Sequence, residues 1–265
     1  MNIIFCLFGV IPRSIKKTWN SINSNIIKIL KEKGINVDIY VFNLNVENTL
    51  VDNTLLNQND IKIIPYTYFE EEKQSEVDKI IEQKCINGCK FRKDYNNNTT
   101  KNAMRQLYSE YRVGKFIEQI NNIKKYDLAF ICGPDYYISN KININDILDS
   151  HNNNILYTTQ VNNADGITNG LYFGKIPDMV KLLKRYDDFQ SSNKDYEYTV
   201  LKAIKNNNIR HKFCNIIFFK VRANCNIHWQ GGKKTNFISK NDAKNVIKEY
   251  SMLKNKCKTL DYSFL

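Results

Sequence analysis

The chain opens on an unbroken apolar run, "NIIFCLF" at 2–8, which suits a strand buried on both faces of a parallel sheet. "GVIPRS" interrupts it, and the period then changes. Trp19, Ile22, Ile26, Ile29 and Leu30 share one face at helical spacing, which predicts a helix from about Ile15 to Lys33 with Gly34 as its stop. A second apolar run, "NVDIYVFNL" at 36–44, completes a β-α-β unit and implies a parallel pair with a right-handed crossover.

"DIKIIPYTYF" at 60–69 reads as a third strand or strand-like run, and residues 70–100, charged, Asn-rich and poor in apolar periodicity apart from "VDKIIEQ", as a mobile loop or excursion over one edge of the sheet. Helical register returns at 101–123 through Met104, Leu107, Tyr108, Tyr111, Phe116 and Ile120. "LAFIC" is then a buried strand running straight into Gly133-Pro134-Asp135. "NILYTTQV" at 154–161 predicts another strand. Residues 162–179 read as a Gly/Asn/Asp-rich loop leading into a helix at 177–189. A helix in "YEYTVLKAIKNNN", one or two strands in "IRHKFCNIIFFKVRA", the loop "NIHWQGGKKTNF" at 226–237 and a C-terminal helix complete the chain. With no repeat and no Pro/Gly/Ser linker, the pattern predicts one α/β domain over 1–265, Rossmann-like, its mostly parallel central sheet flanked by helices.

Charge changes this picture only modestly. The formal charge of +12 favours anionic partners, nucleic acid or nucleotide phosphates among them. Yet Lys is over-used together with Asn and Ile, as A/T-rich coding would produce, and no block of five or six like charges occurs. No helix-turn-helix, zinc-finger or RNP-like signature supports nucleic-acid binding. The seven cysteines lie mostly in apolar surroundings and read as small buried hydrophobes of a reducing compartment. "CINGCK" at 85–90 lacks the second Cys/His pair that a structural zinc site needs. No apolar run reaches the ~20 residues that span a bilayer, so the expectation is a cytoplasmic protein without stable membrane insertion.

Two places carry candidate chemistry. Asp135 ends a hydrophobic strand, where open α/β sheets bind ligands and where a carboxylate can hold a hard cation. His228 begins "HWQGGKK", in which Gly231 and Gly232 allow close backbone approach and Lys233 or Lys234 offers a point charge to phosphate. Arg13 lies just past the first strand, where it either reaches a base or diphosphate at that edge or is an exposed turn residue. Arg105 and Arg112 are seven apart, on one face of the 101–123 helix, where either a donor contact or a solvated face is open. Asp195 and Glu197 open a helix, where acids suit the dipole and where one could serve as a base.

The spacing His228-x-x-Gly231-x-x-Lys234 and the carboxylate at Asp135 resemble nucleotide-sugar glycosyltransferases of the GT-A type, including retaining, glycogenin-like members. In those, an Asp-x-Asp motif and the C-terminal loop hold a divalent metal and the diphosphate. Here Asp135 matches the second carboxylate and Gly133 stands in place of the first. A broader resemblance, over 2–225, is to small glycosyltransferases of large DNA viruses and some bacteria. It rests on "CLFGVIPR" with Gly9 and Arg13, on "YDLAFICGPD", and on "DGITNGLYFGK" with Asp165 and Asn169. The resemblance implies a UDP-sugar donor, Mn²⁺ or Mg²⁺ held by Asp135 and His228, and a nucleotide-binding half at 1–125 ahead of a metal and acceptor half at 126–265. Gly9, Arg13, Arg105, Gly231 and Lys234 would contact the donor, while Asp165, Asn169 and Glu197 would serve catalysis. The acceptor would be a glycan or glycoprotein. A nucleotide-sugar binder that has lost catalysis, and a basic nucleic-acid-binding protein, are the alternatives.

Overall fold

A computed structural model describes residues 1–47, 49–86, 88–91, 96–161, 166–189 and 194–228, with 248, 249, 251, 252 and 255. Within these the strands are β1 (Asn2–Gly9), β2 (Asn36–Asn45), β3 (Tyr68–Lys73), β4 (Leu128–Cys132), β5 (Tyr136–Ile138), β6 (Leu156–Thr159), β7 (Leu171–Lys175), β8 (His211–Cys214), β9 (Phe218–Val221) and β10 (Ile227–His228). Seven of them form one sheet in the order β3-β2-β1-β4-β7-β6-β8. It is parallel throughout except for β7, which runs against both β4 and β6. A second, antiparallel sheet, β10-β9-β5, stands beyond the end of β4.

The first strand shows why this sheet is buried on both faces. Ile3, Phe5 and Leu7 point into one apolar cluster, and Ile4, Cys6 and Phe8 into the other. Helices α1 (Ile15–Ile22) and α2 (Lys28–Glu32) form one rod joined by a π-helical turn at Asn23–Ile27, and they bring Trp19, Ile22, Ile26 and Leu30 to the first cluster. The opposite cluster receives Val77 and Ile81 from α3 (Gln74–Lys84) and Met104, Leu107 and Ile117 from α4 (Asn97–Ile123). Each such side chain contributes roughly 1.5–3 kcal/mol when fully buried, so a polar residue anywhere in "IIFCLF" would be costly. Helices α5 (Ile144–Asn153), α6 (Ile176–Leu183) and α7 (Glu197–Asn206) complete the layers.

The fold class expected from the pattern is the one found, with local corrections. The third strand is Tyr68–Lys73, and Gln58–Ile63 is a short 3-10 helix. Residues 70–84 are strand and helix, not a mobile excursion: alternate positions of β3 are covered, and Val77 and Ile81 anchor α3. Helix α4 begins four residues earlier than its apolar register, because the Asn96 side chain caps it by accepting the N–H of Thr99 at 2.8 Å. Residues 162–179, expected as a loop leading into a helix, contain β7, a strand inside the main sheet that is buried from Leu171 to Gly174. Cys85 and Cys89 are joined as a disulfide, unlike the free thiols expected, while Cys6, Cys132 and Cys214 are buried thiols as the apolar surroundings suggested. Among the described residues no helix is long and apolar enough to cross a membrane.

Candidate functional site

Parallel strands deliver their C-terminal ends to one edge of the sheet, and there the chain gathers unusual charge. At the end of β1, Gly9 takes a φ of +98° and the chain turns into Ile11–Arg13, held by the Ile11 N–H donating to the buried Asn43 side chain at 3.1 Å. Arg13 is thereby fixed past the sheet edge. Its Nε and Nη2 donate to the two carboxylate oxygens of Asp52 at 2.8 and 2.9 Å, a bidentate pair. Asp52 Oδ2 also accepts the N–H of Ala223 at 3.1 Å, tying this corner to the chain beyond β9.

The end of β4 is built as firmly. Gly133 donates its N–H to the Gly170 carbonyl at 2.8 Å, and the Pro134 carbonyl accepts from the Thr18 hydroxyl at 2.6 Å. The Asp135 carbonyl accepts the N–H of Val221 at 2.8 Å. Its half-buried carboxylate accepts from Arg222 Nη1 at 3.1 Å. Lys17 closes the corner, its ammonium donating to the Ala223 carbonyl at 2.5 Å.

Lys220, on β9, completes the group. Its ammonium lies 5.6 Å from the centre of the Tyr136 ring and, among the described residues, makes neither a hydrogen bond nor an ion pair. Burial pulls its pKa down; the Arg222 and Arg13 charges pull the same way, against Asp135 and Glu197. For Arg13, burial alone would lower the pKa, but the bond to Asp52 and the charge of Asp135 outweigh it and the value rises. For Asp52, burial would raise the pKa, yet Arg13, the Ala223 N–H and the charge of Arg222 together bring it down. Three cations thus converge on two carboxylates, and Lys220 is the one left unmatched.

Beside them lies the loop before β7. Gly166 packs so closely on α7 that a Cβ there would come within 2.2 Å of the Glu197 carbonyl oxygen, and Ile167 donates its N–H to that same oxygen at 3.1 Å. Asn169 is 4% exposed, its amide oxygen is buried with no partner among the described residues, and its carbonyl accepts from the Tyr136 hydroxyl at 2.5 Å. Gly170 follows with a φ of +78°, wedged against Phe8 and Tyr136. A buried amide oxygen with no donor costs roughly 1–3 kcal/mol, which a ligand hydroxyl would relieve.

Of the residues singled out from sequence, Gly9, Arg13 and Asp135 meet at this edge, and Glu197 and Asn169 adjoin it. Arg105 is engaged elsewhere, donating to both oxygens of Asp78 at 2.7 Å and to Asn102 at 2.8 Å between α3 and α4. Arg112 is likewise held by Glu70 and Glu72. The backbone of His228 pairs with Lys220. Asp165, Gly231 and Lys234 lie outside the described residues. Lys220, Arg222 and Asp52 escaped the sequence reading. The first two sit two apart in "FFKVRA", a same-face signal in a strand; Asp52 left none, since "VDNT" reads as an ordinary turn.

The described donors do not fit a divalent cation. Gly133 supplies no ligand, Asp135 Oδ2 is bonded to Arg222, and Lys220 and Arg13 add like charge to the spot. Among the described residues no three His, Cys, Asp or Glu gather as a metal-binding group. At the opposite edge of the sheet a shallow cleft of about 460 Å³ is lined by Asn2, Lys31, Asp38 and Lys124. There Asp38 accepts from Lys124 and Tyr126, each at 2.5 Å, which leaves that carboxylate well matched.

No protein-family model matches the chain, and no curated protein sequence matches it. In fold it is similar to the apo form of mouse xyloside xylosyltransferase 1, at 7% identity and a TM-score of 0.42, over 80% of this chain and 84% of that one. That distance assigns neither residue nor activity.

Proposed function

We propose that the chain is a glycosyltransferase that moves a sugar from a nucleoside-diphosphate donor, UDP-linked, to a glycan or protein-linked acceptor. The observation that carries this reading is the convergence of Arg13, Arg222 and the unmatched Lys220 on Asp52 and Asp135, at the C-terminal edge of the mostly parallel sheet. Breaking the bond between the anomeric carbon and the β-phosphate oxygen leaves the electron pair on the diphosphate. Fixed cations at that point stabilise the developing charge. Glu197, whose charge reaches Lys220, takes the proton of the acceptor hydroxyl as the new bond to the anomeric carbon forms. The unpartnered amide oxygen of Asn169 accepts from a hydroxyl of the transferred sugar. The likeness of "CLFGVIPR", "YDLAFICGPD" and "DGITNGLYFGK" to small viral and bacterial glycosyltransferases supports the same reading.

The test is a thermal-shift panel of nucleotide-sugars on the wild-type protein and on Arg13→Ala. A true donor at a hundredfold excess over its Kd stabilises the native state by about 2.7 kcal/mol, and the variant should lose most of that shift. If no nucleotide-sugar moves the melting point, the reading is abandoned. A shift without transfer to water or any acceptor would favour a binder that has lost catalysis, the reading that Gly133 in place of a carboxylate suggests.

A further inference from the structure

We infer that the donor site works without a divalent cation, and that Lys220, flanked by Arg13 and Arg222, is the catalytic residue that neutralises the departing diphosphate. This rests on the glycosyl-transfer reading and departs from the metal-assisted chemistry that the sequence resemblance implies.

The register of the small sheet carries the inference. Strand β9 runs between β5 and β10, and Lys220 pairs with Tyr136 on one side and with His228 on the other. Asp135, one position before Tyr136 and level with Val221, and the backbone of His228 lie on opposite sides of β9, the strand that carries Lys220 and leads into Arg222. Two cations, Lys220 and Arg222, therefore already act on the Asp135 charge from that strand. Asp135 is correspondingly engaged by Arg222 at 3.1 Å. An ammonium offers three donors around a compact charge, which suits phosphate oxygens where guanidinium forks have already been committed to carboxylates. Arg13 and Arg222 are so committed, to Asp52 and Asp135; Lys220 is not. Burial of an unmatched ammonium costs stability, and the lowered pKa of Lys220 records that cost. In the step itself the anomeric C–O bond breaks and its electron pair stays on the β-phosphate. Lys220 meets that charge by hydrogen bonding and keeps its proton, while the acceptor proton goes to Glu197.

Titration calorimetry of UDP and UMP decides the matter, with wild type, Lys220→Gln and Lys220→Arg each run in EDTA and in Mn²⁺. For wild type we expect UDP affinities in EDTA and Mn²⁺ that agree within about threefold, well under one decade of affinity. Lys220→Gln should weaken UDP by about tenfold or more, the loss of a charged hydrogen bond, and UMP by less than about threefold. Lys220→Arg, which keeps the charge, should restore most of the UDP affinity, and it guards against a folding defect in the Gln variant. Tightening of wild-type UDP binding by Mn²⁺ of about tenfold or more, with Lys220→Gln behaving as wild type, overturns the inference and leaves the glycosyltransferase reading intact. Absence of binding by UDP and by every nucleotide-sugar overturns both.

Discussion

Two clusters in this molecule use the same residue types to opposite ends. In the first, Glu110 is fully buried and Arg185 is 7% exposed. The Glu110 carboxylate accepts from Arg185 at 2.7 Å, from Tyr196 at 3.0 Å and from Tyr172. The remaining donors of Arg185 reach the Leu182 carbonyl at 3.0 Å and the Thr199 hydroxyl at 3.3 Å. Every strong group there has a partner, so nothing is left for a ligand. In the second, at the sheet edge, Arg13, Asp52, Asp135 and Arg222 are half-buried and pair off, and Lys220 remains over. Burial with saturation makes a structural joint between α4, α6 and α7. Partial burial without saturation leaves a charge over, which is what the proposed donor site uses.

The largest effect should come from breaking the saturated cluster. Glu110→Ala would strand the Arg185 guanidinium in the core, and removing one partner of a buried pair costs about 3–5 kcal/mol. Urea unfolding should show that loss, with the midpoint moving and the slope unchanged. The double change Glu110→Leu with Arg185→Met should recover most of it, because the core then buries apolar groups in place of matched charges. A double variant as unstable as the single one would mean that the tyrosine hydrogen bonds, not the ion pair, hold the joint.

The contrast also explains what could be read in advance. β1, the α1–α2 rod, β2 and β4 announce themselves because a buried parallel strand needs an unbroken apolar run and an amphipathic helix needs a 3.6-residue period. β7 does not, since its three apolar residues, Leu171, Tyr172 and Phe173, sit among Asn, Gly and Asp that read as loop; only pairing with β4 and β6 makes a strand of them. β3 begins only at the end of the apolar run "DIKIIPYTYF", where Ile63 and Tyr66 stay 40% and 39% exposed, so apolar character was not burial along the whole run. At the site, Arg13 and Asp135 were visible from their positions at strand ends. Lys220 and Arg222 were hidden among 39 basic residues, where composition drowns a single useful charge. Asp52 required the tertiary fold, because its partner Arg13 is 39 residues away and nothing local links them.

A smaller effect, of opposite sign, should come from the edge cluster. Lys220→Met removes an unmatched, desolvated ammonium, so the protein should gain about 1 kcal/mol while losing UDP affinity. The sign with pH sharpens this. The folded pKa of Lys220 is depressed, so between that value and the ordinary ~10.4 the unfolded chain binds more protons and wild-type stability rises with pH. Lys220→Met should lack that alkaline rise. If the variant is less stable than wild type at neutral pH, Lys220 belongs with the saturated cluster and the division drawn between the two fails.

The smallest effect should come from Asp52→Asn, which turns the bidentate grip on Arg13 into one neutral contact. The pair is partly solvated, so the loss near neutrality should be about 0.5–1 kcal/mol. Its pH dependence tells it apart from an unspecific defect. The Asp52 carboxyl titrates below its ordinary value, so its contribution is complete above about pH 4–5 and fades as pH falls through the folded value. Chemical denaturation of wild type and Asp52→Asn between pH 7 and pH 2.5 should therefore give curves that are separated at neutrality and converge in acid. A gap that persists at the acid end would show that Asp52 acts through the Ala223 N–H or the shape of its turn. Arg13 would then owe its position to the turn at Ile11–Arg13, held by Asn43, more than to the carboxylate pair.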